Sequence, residues 1–187
     1  MRRFAGKIHA QTTQLMSLIE DIIRLSQLDE KTPLPEMTTV DLKHICEDVC
    51  QRLQPQAEKA GVSINAHCAP LSVRGIPKML EEIVQNLVDN AIKYNTSNGS
   101  VGVSLKEVDH RVELSVSDTG IGIPEEHVSR VFERFYRVDR SRNKQIGGTG
   151  LGLSIVKHSA EMMNATVQLQ SKLGIGTTVT ISFPAID

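Results

Sequence analysis

The chain has 187 residues, with 21 Lys and Arg against 22 Asp and Glu for a formal net charge of −1. That length allows one sizeable core plus an appendage, and the even charge excludes a general nucleic-acid binder, which carries a clear basic excess. Three cysteines argue against a disulfide framework and for a reducing compartment, no apolar run approaches the roughly 20 residues of a membrane span, and no signal peptide opens the chain.

Residues 3–28 read as one long amphipathic helix. Ile8, Leu15 and Ile22 fall at one heptad position and Phe4, Leu18 and Leu25 at another, with Gln11 the polar break. Ile19, Ile23 and Leu28 widen the stripe to what a helical bundle needs. No helix of similar length adjoins it, so its partner is expected in another chain or another segment; the alternative is packing on its own domain. Residues 29–37, with Pro33 and Pro35, form a break or short linker. A short strand at 40–42 ends at a helix start, and that helix runs over 42–59 and stops before Gly61. Within it Cys46 and Cys50 lie one turn apart with His44 nearby, a pattern that fits buried structural thiols better than a metal site.

Short strands follow at 62–67 and 71–74. Pro77 stands where a first-turn proline belongs, opening a helix to about residue 94. Residues 101–108 and 111–117 alternate as paired strands around Asp109-His110. A polar, arginine-bearing stretch occupies roughly 124–149, with one short helix near 125–131; so long a loop inside a compact domain is usually functional. A last helix covers about 151–163. Strands at 166–172 and 177–183 close a hairpin around Gly174-Ile175-Gly176, read as an ordinary turn because nothing chemical flanks it. This order predicts a two-layer α/β (α+β) sandwich, a sheet packed on helices.

Chemistry concentrates in three places. On the helix at 77–94, Leu80, Ile83, Val84, Leu87 and Ala91 make a buried face, while Glu82, Asn86, Asn90 and Lys93 run along another. Amide oxygens are neutral, hard ligands suited to Mg²⁺, which shares its shell with phosphates, and a lysine one turn later can neutralise phosphate charge. A solvated polar face is the competing explanation of such a stripe. Next, Asp118-Thr119-Gly120-Ile121-Gly122-Ile123-Pro124 ends an apolar strand with a carboxylate and two glycines, offering an acceptor where backbone can approach a flat ligand such as adenine. Third, Gly147-Gly148-Thr149-Gly150-Leu151-Gly152-Leu153 opens the last helix, whose N-terminal N–H groups suit phosphate. Neither glycine segment completes the dinucleotide fingerprint, since Glu125 and Ile155 stand at its last position, and no P-loop Gly-Lys-Ser/Thr is present. Between them lie Phe132-Glu133-Arg134-Phe135-Tyr136-Arg137 and then Arg140, Arg142 and Lys144, aromatics that can anchor a mobile segment beside cations that can face phosphate or water.

In this joint order the chain resembles the ATP-binding catalytic domain of bacterial sensor histidine kinases, within the superfamily of gyrase, chaperone and mismatch-repair ATPases. Residues 86–94 are similar to the family's asparagine box, 118–122 to its first glycine box, 132–137 to its phenylalanine box and 148–153 to its second glycine box. The first 30 residues, ending Ile-Arg-Leu-Ser-Gln-Leu-Asp, resemble the second helix of the family's dimerisation hairpin. The resemblance implies a Bergerat-type fold, with a mixed sheet, over residues 38–187, a lid at about 124–149, a linker at 31–37 and a truncated hairpin at 1–30. It implies Asn90 as the principal Mg²⁺ ligand with Asn86 in support, Lys93 on phosphate and Tyr94 near the adenine. Asp118 would take the adenine amine, and Gly120 and Gly122 would allow close approach. Arg137, Gly148, Thr149, Gly150, Leu151 and Gly152 would serve the phosphates from the lid, and Glu82 would assist Asn86 in a catalytic role.

The implied activity is transfer of the γ-phosphate of ATP to a histidine on a dimerisation helix, in a homodimer, for relay to an aspartate of a response regulator. The implied setting is cytoplasmic, free or as the cytoplasmic part of a membrane-anchored sensor, without contact of this chain with membrane or nucleic acid. The acceptor box itself is missing. Leu28-Asp29-Glu30-Lys31-Thr32-Pro33-Leu34 carries Asp29 where the histidine belongs, and His9, His44, His67, His110, His127 and His158 lack the acceptor's neighbours. The chain is therefore expected not to phosphorylate itself alone. The alternatives are an ATP-dependent conformational ATPase of the same superfamily and a non-catalytic interaction module.

Overall fold

The computed structural model describes residue 12 and residues 35–138 and 149–186. Apart from residue 12, the helix expected over 3–28, the break at 29–34 and Arg140, Arg142, Lys144, Gly147 and Gly148 lie outside the described residues.

Strand β1 (Thr38–Asp41) runs directly into helix α1 (Leu42–Ala60). Asp41 is both the last strand residue and the N-cap, its Oδ1 accepting the His44 N–H at 3.1 Å, which satisfies one of the donors a helix start leaves open. Gly61 ends α1 in the left-handed region, φ 69°, where its N–H reaches the carbonyls of Ala57 and Glu58, and a Cβ would strain that backbone. The face of α1 bearing Leu42, Cys46, Val49, Cys50, Leu53 and Ala57 is buried. Burial pushes the Cys50 thiol up to about 11, and a hydrogen bond with Cys68 holds Cys46 protonated while lowering Cys68. His44 turns the other way, its Nε2 3.4 Å from Asp48 Oδ2 on the exposed side.

Strands β2 (Ser63–Cys68) and β3 (Ser72–Gly75) follow, then helix α2 (Pro77–Lys93), strands β4 (Ser100–Val108) and β5 (Arg111–Asp118), the single turn α3 (Glu125–Val128), helix α4 (Gly152–Met162), and strands β6 (Thr166–Lys172) and β7 (Gly176–Phe183). The short helix expected to about residue 131 ends at Val128. β3 pairs antiparallel with β1 in a two-stranded sheet apart from the main one, a pairing that neither short strand announces by itself. The main sheet is mixed, in the order β2-β4-β5-β7-β6, with β2 parallel to β4 and every other pair antiparallel. The β4–β5 turn is Asp109-His110, both at positive φ, the hand that matches strand twist in a two-residue hairpin.

Alternation decides which face of this sheet is covered. Val101, Val103 and Leu105 on β4, Val112, Leu114 and Val116 on β5, and Val179, Ile181 and Phe183 on β7 are buried together with the apolar faces of α1, α2 and α4. The opposite face carries Ser104, Ser115, Thr178 and Thr180, as a sheet with one solvated side should. The next inward position after Val116 is Asp118, so the apolar layer gives way to a carboxylate at the end of β5. Among the described residues no helix is long and apolar enough to cross a membrane.

Two substitutions test this account. Leu114→Ala, at a fully buried position on the central strand, should cost about 3 kcal/mol, whereas Asp41→Ala should cost about 1 kcal/mol through the lost cap. Chemical denaturation should rank them in that order; equal losses would contradict the placement of the core.

Candidate functional site

Helix α2 carries the site because its two faces meet different surroundings. Leu80, Ile83, Val84, Leu87, Val88, Ala91 and Ile92 are buried against the sheet and α1. Glu82, Asn86 and Asn90 are half-buried on another side, and Lys93 is exposed at the helix end. The sequence stripe is therefore a face of one helix, and backbone covers it at Asn86 and Asn90.

The cover is the start of α4. A Cβ built on Gly152 would lie 3.1 Å from Asn86 Oδ1 and 3.7 Å from Asn90 Nδ2. A side chain there would press on the amide of Asn86. Glycine lets the N-terminus of an eleven-residue helix sit close to both asparagines, so N–H groups that suit an anion stand beside amide oxygens that suit a hard cation. Thr149 Oγ1 accepts the Leu151 N–H at 3.3 Å, and Leu151 is buried. Gly150 has φ 74°, and its carbonyl accepts the Phe135 N–H at 2.9 Å. The segment after the first glycine loop and the approach to α4 are thus stitched together at Phe135 and Gly150, two of the positions singled out from sequence.

Asp118 forms the other end. Its Oδ1 accepts the Gly120 N–H at 2.8 Å and the Thr177 N–H at 3.3 Å. Among the described residues no donor reaches Oδ2. Burial pushes the Asp118 carboxyl above its ordinary value, and the two N–H bonds pull it partly back. The loop that follows is fixed on both sides. Ile121 N–H donates to the Tyr94 carbonyl at 3.0 Å, Gly174 N–H to the Ile121 carbonyl at 2.8 Å, and Ile123 N–H to Ser171 Oγ at 2.8 Å. A Cβ on Gly120 would collide with the Tyr94 carbonyl and one on Gly122 with the Lys172 carbonyl. Tyr94, a candidate by its side chain, thus also holds the loop by its backbone.

The β6–β7 connection is the turn read from sequence, and it packs on Asp118: a Cβ on Gly176 would strike the Asp118 carbonyl, and the next residue donates to the Asp118 carboxylate. Asp118, Gly176 and Thr177 line a cleft of about 290 Å³. Sequence reasoning missed this contact because 59 residues separate the partners and the atoms involved are backbone. A second cleft of about 200 Å³ lies along α2, lined by Lys78, Glu81, Glu82, Gln85 and Asn86.

The arginine-bearing segment is tied down before residue 138. His127 Nδ1 shares a short hydrogen bond with the Tyr136 hydroxyl, and the Arg130 guanidinium stacks 4.3 Å from the Tyr136 ring centre. Phe135 has φ 63° and is exposed, while Arg137 is half-buried. Lys93 has a partner the stripe did not foretell: its Nζ is 2.5 Å from Asp89 Oδ2. Asp89 Oδ1 accepts in turn from Gln56 Nε2 on α1 at 2.8 Å.

With this geometry in view, the family model of histidine kinase-, DNA gyrase B-, and HSP90-like ATPases matches residues 75–187. The chain belongs to this ATPase family. Its relatives within the family include sensor histidine kinases. The sensor-like histidine kinase SenX3 of Mycolicibacterium smegmatis is 39% identical over 186 residues, covering 98% of this chain and 48% of that protein. The sensor histidine kinase YkoH of Bacillus subtilis is 36% identical over 176 residues, 94% of this chain and 38% of that protein. Full-length ShkA, solved in complex with AMPPNP, superposes with a TM-score of 0.84 at 27% identity, over 98% of this chain and 38% of that one. The mycobacterial sensor histidine kinase MprB superposes with a TM-score of 0.70 at 29% identity, over 79% of this chain and 97% of that one. The chain spans about half or less of the length of these two curated relatives. The ATPase-family match begins at Gly75, so it takes in α2, both glycine loops and the β6–β7 turn, and leaves β1, α1, β2 and all but the last residue of β3 before it.

The upward shift of Asp118 has a consequence for stability. A carboxyl raised in the folded state contributes stability that is fully present below its unfolded value and lost as pH rises through the folded one. Ionised Asp118 is therefore a cost to the fold at neutral pH. Asp118→Asn keeps an acceptor for both N–H groups, so the variant should melt above the parent at pH 7, with the margin closing as pH falls toward about 4. Melting curves across that range check it; a variant less stable than the parent at pH 7 would contradict the burial argument.

Proposed function

We propose that this chain is the ATP-binding catalytic portion of a sensor histidine kinase, a transferase that passes the γ-phosphate of ATP to a histidine on a dimerisation helix for relay to a response-regulator aspartate. The observation that carries the reading is the bare Gly152 backbone set against Asn86 and Asn90, in the C-terminal half of the helix whose C-cap, Tyr94, holds the Asp118 loop by its carbonyl. Phosphate chemistry and adenine chemistry are then served by one rigid element. In this reading residues 1–30 belong to the dimerisation hairpin, 31–37 link it, and 38–187 form the nucleotide domain with its lid at about 124–149.

Asp118 Oδ2 accepts from the adenine amine, with Gly120 and Gly122 leaving the loop backbone open to the ring and Tyr94 beside it. Asn90, supported by Asn86, would hold Mg²⁺; the donor set fits, because amide oxygens are neutral, hard ligands of the kind Mg²⁺ takes beside phosphate. When bound, Mg²⁺ would supply charge neutralisation on the phosphates. Lys93, Arg137, Thr149 and the N–H groups of Gly148, Gly150, Leu151 and Gly152 orient and screen the phosphate chain. Glu82, one turn before Asn86 and beside the cleft along α2, assists proton transfer from the acceptor histidine. Positioning and electrostatic stabilisation carry most of phosphoryl transfer, so the γ-phosphate can pass directly from ATP to the histidine with ADP as the leaving group.

Mixed with a histidine-bearing dimerisation fragment and labelled ATP, the chain should label the histidine, and Asn90→Ala or Asp118→Ala should abolish the transfer. In calorimetric titration Asn90→Ala should remove the Mg²⁺-dependent part of ADP binding. Asp118→Ala should weaken adenine nucleotides about 10- to 100-fold, the cost of an unmade hydrogen bond to a charged group. Variants that bind as the parent does would refute the assignment of these residues. Label on a histidine of this chain incubated alone would refute the claim that its acceptor lies elsewhere.

A further inference from the structure

Lys93 is committed to a partner that does not belong to the stripe. At about 100° per residue, Asp89 lies roughly 60° round α2 from Asn86 and roughly 100° from Asn90, on the side turned toward α1. Gln56 on α1 fixes the Asp89 carboxylate from that side at 2.8 Å, and Lys93 Nζ meets its other oxygen at 2.5 Å. The pair is partly shielded, with side-chain exposures of 35% for Lys93 and 24% for Asp89. Its ammonium is therefore drawn to the α1 side of the helix, away from the two asparagines.

We infer that Asp89 is a positioning residue that holds Lys93 and so competes with nucleotide phosphate for its ammonium. The inference rests on the reading of Asn86, Asn90 and Lys93 as a phosphate wall. For Lys93 to reach phosphate it must leave Asp89, whose carboxylate keeps Gln56 as a donor when the lysine departs. The exchange is between two anions for one cation, with no bond made or broken. It lowers affinity for any nucleotide carrying phosphate and gives the diphosphate product a competitor that helps to expel it.

The test is a double-mutant cycle read by calorimetric titration of the full chain with MgADP. Asp89→Asn should tighten MgADP about two- to fivefold, the worth of a partly exposed ion pair. Its melting temperature should stay level or fall, opposite to the affinity. In the Lys93→Gln background the same substitution should give no gain, because a through-lysine effect vanishes with the lysine while a general field effect persists. Asp89→Glu, which keeps the charge, should bring the affinity back toward the parent. Gln56→Lys, a rival ammonium for Asp89 that leaves position 89 intact, should also tighten MgADP, again only when Lys93 is present. No gain in either variant, or an equal gain in the Lys93→Gln background, overturns the latch and leaves the nucleotide site standing. A parent chain that binds no MgADP overturns the site reading and the latch together.

Discussion

Helix α2 must satisfy two incompatible environments along its whole length, and much of the molecule is arranged around that demand. Seven of its residues are buried in the core. If the opposite face were simply solvated, Asn86 and Asn90 would need no neighbours. They are instead half-buried under the start of α4, so their amides sit where water is partly excluded and a hydrogen bond or a metal contact counts for more than in bulk solvent. The core face fixes the helix rigidly, and that rigidity spaces the polar groups.

Glycines do the corresponding work in the loops, by letting backbone touch backbone or amide. Gly152 allows α4 onto Asn86, Gly120 allows its loop onto the Tyr94 carbonyl, and Gly176 allows the β6–β7 turn onto Asp118. Each contact joins elements that are distant in the chain. Asp118 itself is the point where strand alternation carries an inward-facing position past the last core valine, so the register that builds the core also aims the carboxylate. Its upward shift is the cost of that placement, a local penalty of the kind that functional sites retain.

Much of the architecture was legible because it rests on period and punctuation. Pro77 at a helix start, Gly61 after a helix end and the alternation of residues 101–117 are local signals, and the elements fall within a residue or two of where those signals put them. The β1–β3 pair was not legible as a sheet, since each strand has four residues and α1 and β2 lie between them in the chain. The contact of the Gly174-Ile175-Gly176 turn with Asp118 was not legible for a similar reason. Asp118 is its neighbour in space through the β5–β7 register and not in sequence.

By itself the sequence determined which side chains could do chemistry and on which faces of their elements they would lie, because helix and strand periods are properties of the local backbone. Asn86, Asn90, Lys93 and Asp118 were all identifiable that way. The tertiary structure alone decided which distant groups surround them. Asn86 meets a bare glycine, Asp118 meets the Thr177 N–H besides that of nearby Gly120, and Asp89, the partner of Lys93 one turn away on the same helix, is held by Gln56 from another helix. The long-range meetings follow from helix packing and strand register, and several use main-chain atoms, which carry no residue signature to be read in advance.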